Sequence, residues 1–116
     1  MKYVILFCGT PDDQRDYDSL TKEDFQKRMA EVGRWFGEHQ AKLTGGHQLR
    51  GPDTATTVSF GTDGRPVVKD GLFLEGKEIV GGYAEVDVAD LDEALAMVKT
   101  WPGGGTIEIR PIVDRG

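Results

Sequence analysis

Carboxylates and a cation gather in one short run, "KDGLFLEGKEIVGGYAEV" from Lys69 to Val86, which carries Asp70, Glu75, Lys77 and Glu78. Acidic and basic groups on a loop held between strands are well placed to bind a small polar molecule and to exchange protons with it. The order Gly71, Gly76, Lys77 also approaches a phosphate-binding loop. Such a loop needs small residues to expose its amides, a helix starting at the lysine and a hydroxyl for magnesium. Here Leu72-Phe73-Leu74 is bulky, Glu78 follows the lysine, and strand-forming sequence comes next, so no nucleotide site is expected. A plainer alternative stays open: solvated loop charges that pair with one another at little energetic gain.

Two histidines are the other candidates. His47 follows Gly45-Gly46 and shares strand parity with Leu49, which would turn its imidazole toward the cleft bordered by the Asp70 segment, as a proton acceptor. His39 falls on an apolar helical stripe and reads as a core or interface residue. Two histidines without a cysteine or glutamate at ligand spacing give no zinc site, and no cofactor is expected. Asp12, Asp13, Asp16 and Asp18 lack the alternate-position ligands, central glycine and closing glutamate of a calcium loop. Cys8, the only cysteine, ends an apolar run and reads as packing.

The elements that position these groups follow from periodicity. Tyr3 to Cys8 is continuously apolar, as in a central strand, and Gly9-Thr10-Pro11 ends it before an acidic loop from Asp12 to Ser19. Thr21 caps a helix whose stripe runs Phe25, Met29, Val32, Phe36, His39, Leu43 until Gly45-Gly46 stops it. Strands are expected at His47 to Arg50, Thr54 to Phe60, Arg65 to Lys69 (with Asp63-Gly64 as the hairpin turn) and Gly82 to Val88. Asp90 and Glu93 form a capping box for a second helix buried through Leu91, Ala94, Leu95, Val98 and Trp101, and Thr106 to Val113 is the last strand. This β-α-β-β-β-α-β order is α+β, a ferredoxin-like split βαβ arrangement with an inserted β-hairpin. An antiparallel sheet with two helices on one face leaves the other face to a second copy of the chain.

A chain of 116 residues has room for a single domain, here residues 1–116. Its formal charge of -6 and lack of a Lys/Arg cluster speak against nucleic-acid binding. The Tyr3 to Cys8 run is too short to span a membrane and lacks the pattern of a signal peptide, so with its lone thiol the protein is expected in the cytoplasm.

Four ordered motifs, "TATTV" at 54 to 58, "DGLFLEGKEIVGGY" at 70 to 83, "DLDEAL" at 90 to 95 and "IEIRPIV" at 107 to 113, resemble the YCII-related family in its DGPF-domain branch. The resemblance covers essentially the whole chain. It implies a dimeric ferredoxin-like α+β barrel, found mostly in bacteria and often encoded near extracytoplasmic-function sigma factors, without an established activity. Two departures stand out. Leu72 occupies the proline of the name motif, which frees one backbone angle and restores a donor. Val32 stands where many relatives carry a histidine, so a His/Asp pair does not carry over and only Asp70 matches.

Two readings result. In the first, a cytoplasmic homodimer binds and transforms a small molecule in a polar cleft, with Asp70 as acid/base or orienting carboxylate, His47 as proton acceptor, Lys77 as an anion-binding charge, and Glu75, Tyr83 and Arg110 as further substrate contacts. In the second, a non-catalytic module associates with a sigma factor through its acidic surface. Whether there is catalysis stays open between them. In either case the protein should neither bind DNA nor respond to calcium. A salt-sensitive mobility shift, or a Tm that rises with calcium, would contradict the charge balance and the ligand spacing.

Overall fold

The run Tyr3 to Cys8 forms β1 (Lys2–Gly9), an inner strand of a four-stranded antiparallel sheet that buries Tyr3 and Ile5 on one face and leaves Val4 and Leu6 partly exposed on the other. The computed structural model describes residues 1–71 and 78–115. In chain order the elements are β1, α1 (Pro11–Asp18), α2 (Lys22–Glu38), β2 (Leu43–Gln48), β3 (Thr56–Phe60), β4 (Pro66–Asp70), β5 (Ile79–Asp87), α3 (Leu91–Val98) and β6 (Thr106–Pro111), with a short 3-10 turn at Pro52–Thr54. The sheet runs β2-β5-β1-β6, and β3 with β4 forms a separate two-stranded ribbon. The ferredoxin-like α+β arrangement with an inserted hairpin expected from the sequence is thus the observed one.

Register decides which residues face the helices. Ile5 lies opposite Ala84 on one side and Ile109 on the other, and Tyr3 opposite Val86. Tyr3, Ile5, Ala84 and Val86 are buried together with Trp35 of α2 and Ala94 and Met97 of α3. Alternation then puts Val4, Leu6, Tyr83, Glu85, Glu108 and Arg110 on the opposite face. Trp35 is the only α2 side chain fully buried, and its indole N–H is shared between the Met97 carbonyl and the Thr100 hydroxyl, each at 3.1 Å. A buried indole needs such an acceptor, so the bond fixes α2 against the end of α3.

Three boundaries differ from the sequence reading. The stretch expected as an acidic loop is α1: Thr10 caps it, Pro11 opens it, and Asp13 completes a capping box by accepting from the Thr10 amide at 2.8 Å. Without an apolar repeat this helix is held by its caps and by Asp12 and Asp13 in the first turn, with an ion pair from Arg15 to Asp12. At the other end, α2 stops at Glu38, with His39 as its C-cap, instead of continuing to Gly45. Leu43 is taken by β2, where it pairs with Val86, and Gly45-Gly46 lies inside that strand. At the hairpin the chain makes a longer turn, in which the Gly64 amide bonds the Gly61 carbonyl at 2.9 Å and Gly64 takes a φ of 75°. At α3 the Asp90 carboxylate caps the helix by accepting from the Glu93 amide at 2.9 Å, but the reciprocal bond to the Glu93 side chain that would complete the expected capping box does not occur among the described residues.

Gly46 is where β2 and β5 come closest. Its φ is 140°, and a Cβ there would lie 2.7 Å from the Ala84 Cα and closer still to the Tyr83 carbonyl oxygen. Neighbouring Gly45 has ordinary space, its added Cβ meeting only the Glu85 carboxylate at 3.5 Å. Gly46→Ala should therefore lower unfolding stability by about 2–3 kcal/mol in urea titrations, through backbone strain and overpacking. Gly45→Ala should change it by under about 0.5 kcal/mol. Equal effects at the two positions would refute the close approach.

Candidate functional site

Between the sheet and α2 lies a concave site of about 1120 Å³. Its inner end is aromatic because Phe7 projects from β1 on the helix side and meets Trp35 edge-on at 6.2 Å and Trp101 at 4.4 Å. Phe36 closes the group, 5.9 Å from Trp101 and 6.4 Å from Phe7. Phe7, Phe36 and Trp101 line the cavity, whereas Trp35 sits behind them as core. Gly105, at a φ of 75°, lets the loop before β6 pass against the Cys8 carbonyl.

Along α2 the lining continues through Val32 and Met29 to Arg28. Arg28 precedes Phe36 by two helical turns, which places the guanidinium stem about 12 Å along the axis from the aromatic end. The side chain is partly buried and forms no ion pair among the described residues. Such a cation retains its donors for a ligand oxygen. From α1 come Asp13, Asp16 and Tyr17. Asp13 is committed to capping, through the Thr10 amide and hydroxyl, while Tyr17 rests edge-on against Phe25 at 5.7 Å.

The far side of the cavity is built by the glycine pairs of β2 and β5. Gly45, Gly46, Gly81 and Gly82 line it, and lacking side chains they leave a notch that reaches His47 and Tyr83. Those two are register partners, with rings edge-on at 6.1 Å. Cys8 also borders the site, but burial, with added repulsion from Glu78 and Glu108, holds its thiol above the ordinary range. It therefore stays protonated near neutrality and is a poor nucleophile.

His47 and Tyr83 are both lining residues and register partners, but alternation turns their side chains to the sheet face away from α2. Arg110 is exposed on the uncovered sheet face, opposite Val4. Asp70 is exposed at the end of β4, paired with Thr56 at the foot of the ribbon, and is not a lining residue. Glu75 and Lys77 lie outside the described residues, as does Leu72 in the proline position. Val32, where the resemblance puts a histidine, does line the cavity and presents an aliphatic wall. No cluster of metal-binding side chains occurs among the described residues. The principal residue that sequence reasoning missed is Arg28. A helical arginine reads as solvated surface, yet its spacing of four and eight residues from Val32 and Phe36 puts it on the same stripe.

Comparison with known proteins agrees with this architecture. The chain is similar to Uncharacterized protein R00369 of Rhizobium meliloti (strain 1021), 37% identical over 65 residues, a stretch that takes 53% of this chain and 52% of the relative, about half its length. Among solved structures it resembles 5-chloro-2-hydroxyhydroquinone dehydrochlorinase (TftG) from Burkholderia phenoliruptrix AC1100, in complex with 2,5-dihydroxybenzoquinone. That likeness, at 17% identity and a TM-score of 0.53 over 97% of this chain and 94% of the other, establishes a shared fold. The model of the YCII-related domain matches residues 1–115, and the chain therefore belongs to that family.

Proposed function

We propose that this protein is a cytoplasmic homodimer that binds a small ring-bearing organic anion in the cleft between α2 and the sheet. One observation carries the reading: a single concave site joins an aromatic end, Phe7, Phe36 and Trp101, to an arginine without an ion-pair partner among the described residues. Aromatic walls suit a flat ring, which gains from offset or edge-on contact in addition to burial. A guanidinium suits the oxygens of an acidic hydroxyl or carboxylate, and in a partly dry cleft its bonds gain strength. The site's volume is near that of sites for drug-sized ligands.

The structural neighbour supports the same chemistry, since it was captured with 2,5-dihydroxybenzoquinone, a planar ring with ionisable hydroxyls. For the location, no helix among the described residues is long and apolar enough to cross a membrane. The uncovered sheet face with Val4, Leu6 and Tyr83 supports the dimer.

Calorimetric titration with 2,5-dihydroxybenzoquinone and a panel of hydroxybenzoates tests the reading. At least one of these anions should bind the wild-type protein. Arg28→Gln should raise its Kd at least tenfold, since a hydrogen bond to a charged group is worth about 1.5–3 kcal/mol. Stability should move by under about 0.5 kcal/mol, because Arg28 joins no ion pair among the described residues. Absence of binding across the panel would reject the ligand class, and an unchanged Kd in the variant would remove Arg28 from the site.

A further inference from the structure

One row of the sheet crosses the floor of the cleft. Phe7 on β1 lies opposite Gly82 on β5, and Gly82 lies opposite Gln48 on β2. Residues directly opposite one another in an antiparallel sheet point to the same face, so these three share one. Phe7 packs on Trp35 and Trp101, which makes it the helix face. Gln48 therefore projects toward α2, whereas His47, one position earlier, projects the other way. All three members of the row line the cavity.

The glycine in the middle gives the row its shape. Adjacent strands are about 4.8 Å apart, so the Phe7 and Gln48 backbones stand about 10 Å from one another with no side chain between them. A Cβ at Gly82 would lie 3.1 Å from the His47 carbonyl oxygen, and one at Gly46, two residues before Gln48 on the same face, would meet the Tyr83 carbonyl. The floor is thus bare, with the Phe7 ring on one side and the Gln48 amide on the other. A flat ring laid over Gly82 meets both. The Gln48 backbone is taken up by pairing with β5, but its side chain has no hydrogen-bond partner among the described residues. It stands exposed on an edge strand, free to turn toward a bound molecule.

We infer that Gln48 is a specificity-determining residue of the cleft, and that its ligand is an arene carrying a hydroxyl in addition to its anionic group. A primary amide offers N–H donors and a carbonyl acceptor together, which is what a ring hydroxyl, itself both donor and acceptor, can use. A guanidinium has donors only, so Arg28 and Gln48 select for different groups: the first for charge, the second for the hydroxyl. They also approach from different directions. Arg28 lies about 12 Å along α2 from the aromatic end, whereas Gln48 lies across the sheet from it. A site that hydrogen-bonds a hydroxyl discriminates against the analogue lacking it, because the polar group is then left unpaired. The inference rests on the ring-bearing anion proposed above and narrows its class.

Calorimetric titration of the wild type and of Gln48→Met with the monohydroxybenzoates and benzoate separates the two readings. Methionine keeps the length and unbranched shape of the side chain and removes its amide. The wild type should bind its best hydroxybenzoate about tenfold tighter than benzoate, the effect of one hydrogen bond. Gln48→Met should erase that preference by weakening the hydroxybenzoate while benzoate binding stays as it was. A disturbance of shape would weaken both ligands alike, and that result would overturn the role of Gln48. A preference that survives the substitution would overturn it too, with the anion site intact. No binding by any of these anions would reject the cleft reading and this inference together. Gln48→Glu covers a methionine variant that fails to fold: it loses the donors and adds a like charge beside the ring, so every member of the panel should bind more weakly. Undiminished affinity in that variant would place Gln48 away from the ligand.

Discussion

The buried indole of Trp35 is the constraint on which the remaining architecture depends. Its N–H has no access to water and must find an acceptor, and the one it finds is the end of α3, through the Met97 carbonyl and the Thr100 hydroxyl. Thr100 in turn donates to the same carbonyl at 2.7 Å, so the acceptor site is itself held. That arrangement satisfies otherwise orphaned groups at a helix end while setting the spacing of two helices over one sheet. His39 shows the accompanying cost. Its ring packs on Trp35 at 4.8 Å, and its Nε2 is buried without a hydrogen-bond partner among the described residues. Packing against the indole outweighs one unmet polar atom at a helix end.

From this anchor the cleft follows with little freedom. Trp35 faces the core, so the helical repeat turns Phe36 one position round toward the opening, with Val32 and Arg28 at one and two turns before it. Phe7 and Trp101 pack against the same indole, at 6.2 and 5.0 Å, and their outer faces become the end wall. The opposite wall is made by strands that can pass closely only because Gly46 and Gly82 lack side chains. Core packing and site geometry are here the same set of contacts, read from two sides.

That dual role explains what the sequence disclosed and what it hid. Strand β1, the N-cap at Asp90 and the inserted hairpin are local signals, written within a few residues, and each is where it was expected. Helix α1 was misread because it buries none of its residues, so it has no apolar repeat; its start, Thr10-Pro11 with Asp13 three residues after the cap, was the signal available. Helix α2 was read too long because His39 and Leu43 happen to continue its period, and only pairing with β5 reveals that Leu43 belongs to a strand. At the site, His47 was singled out by strand parity with Leu49, and register turns its side chain, with that of Tyr83, to the sheet face away from α2. Arg28 could not be singled out, because a partly buried arginine without an ion-pair partner differs from a surface one only in what surrounds it.

Val32 sets the direction of any chemistry in this cleft. The position faces the cavity. In this chain that wall is aliphatic, and among the described lining residues the only imidazole belongs to His47, across the notch on β2.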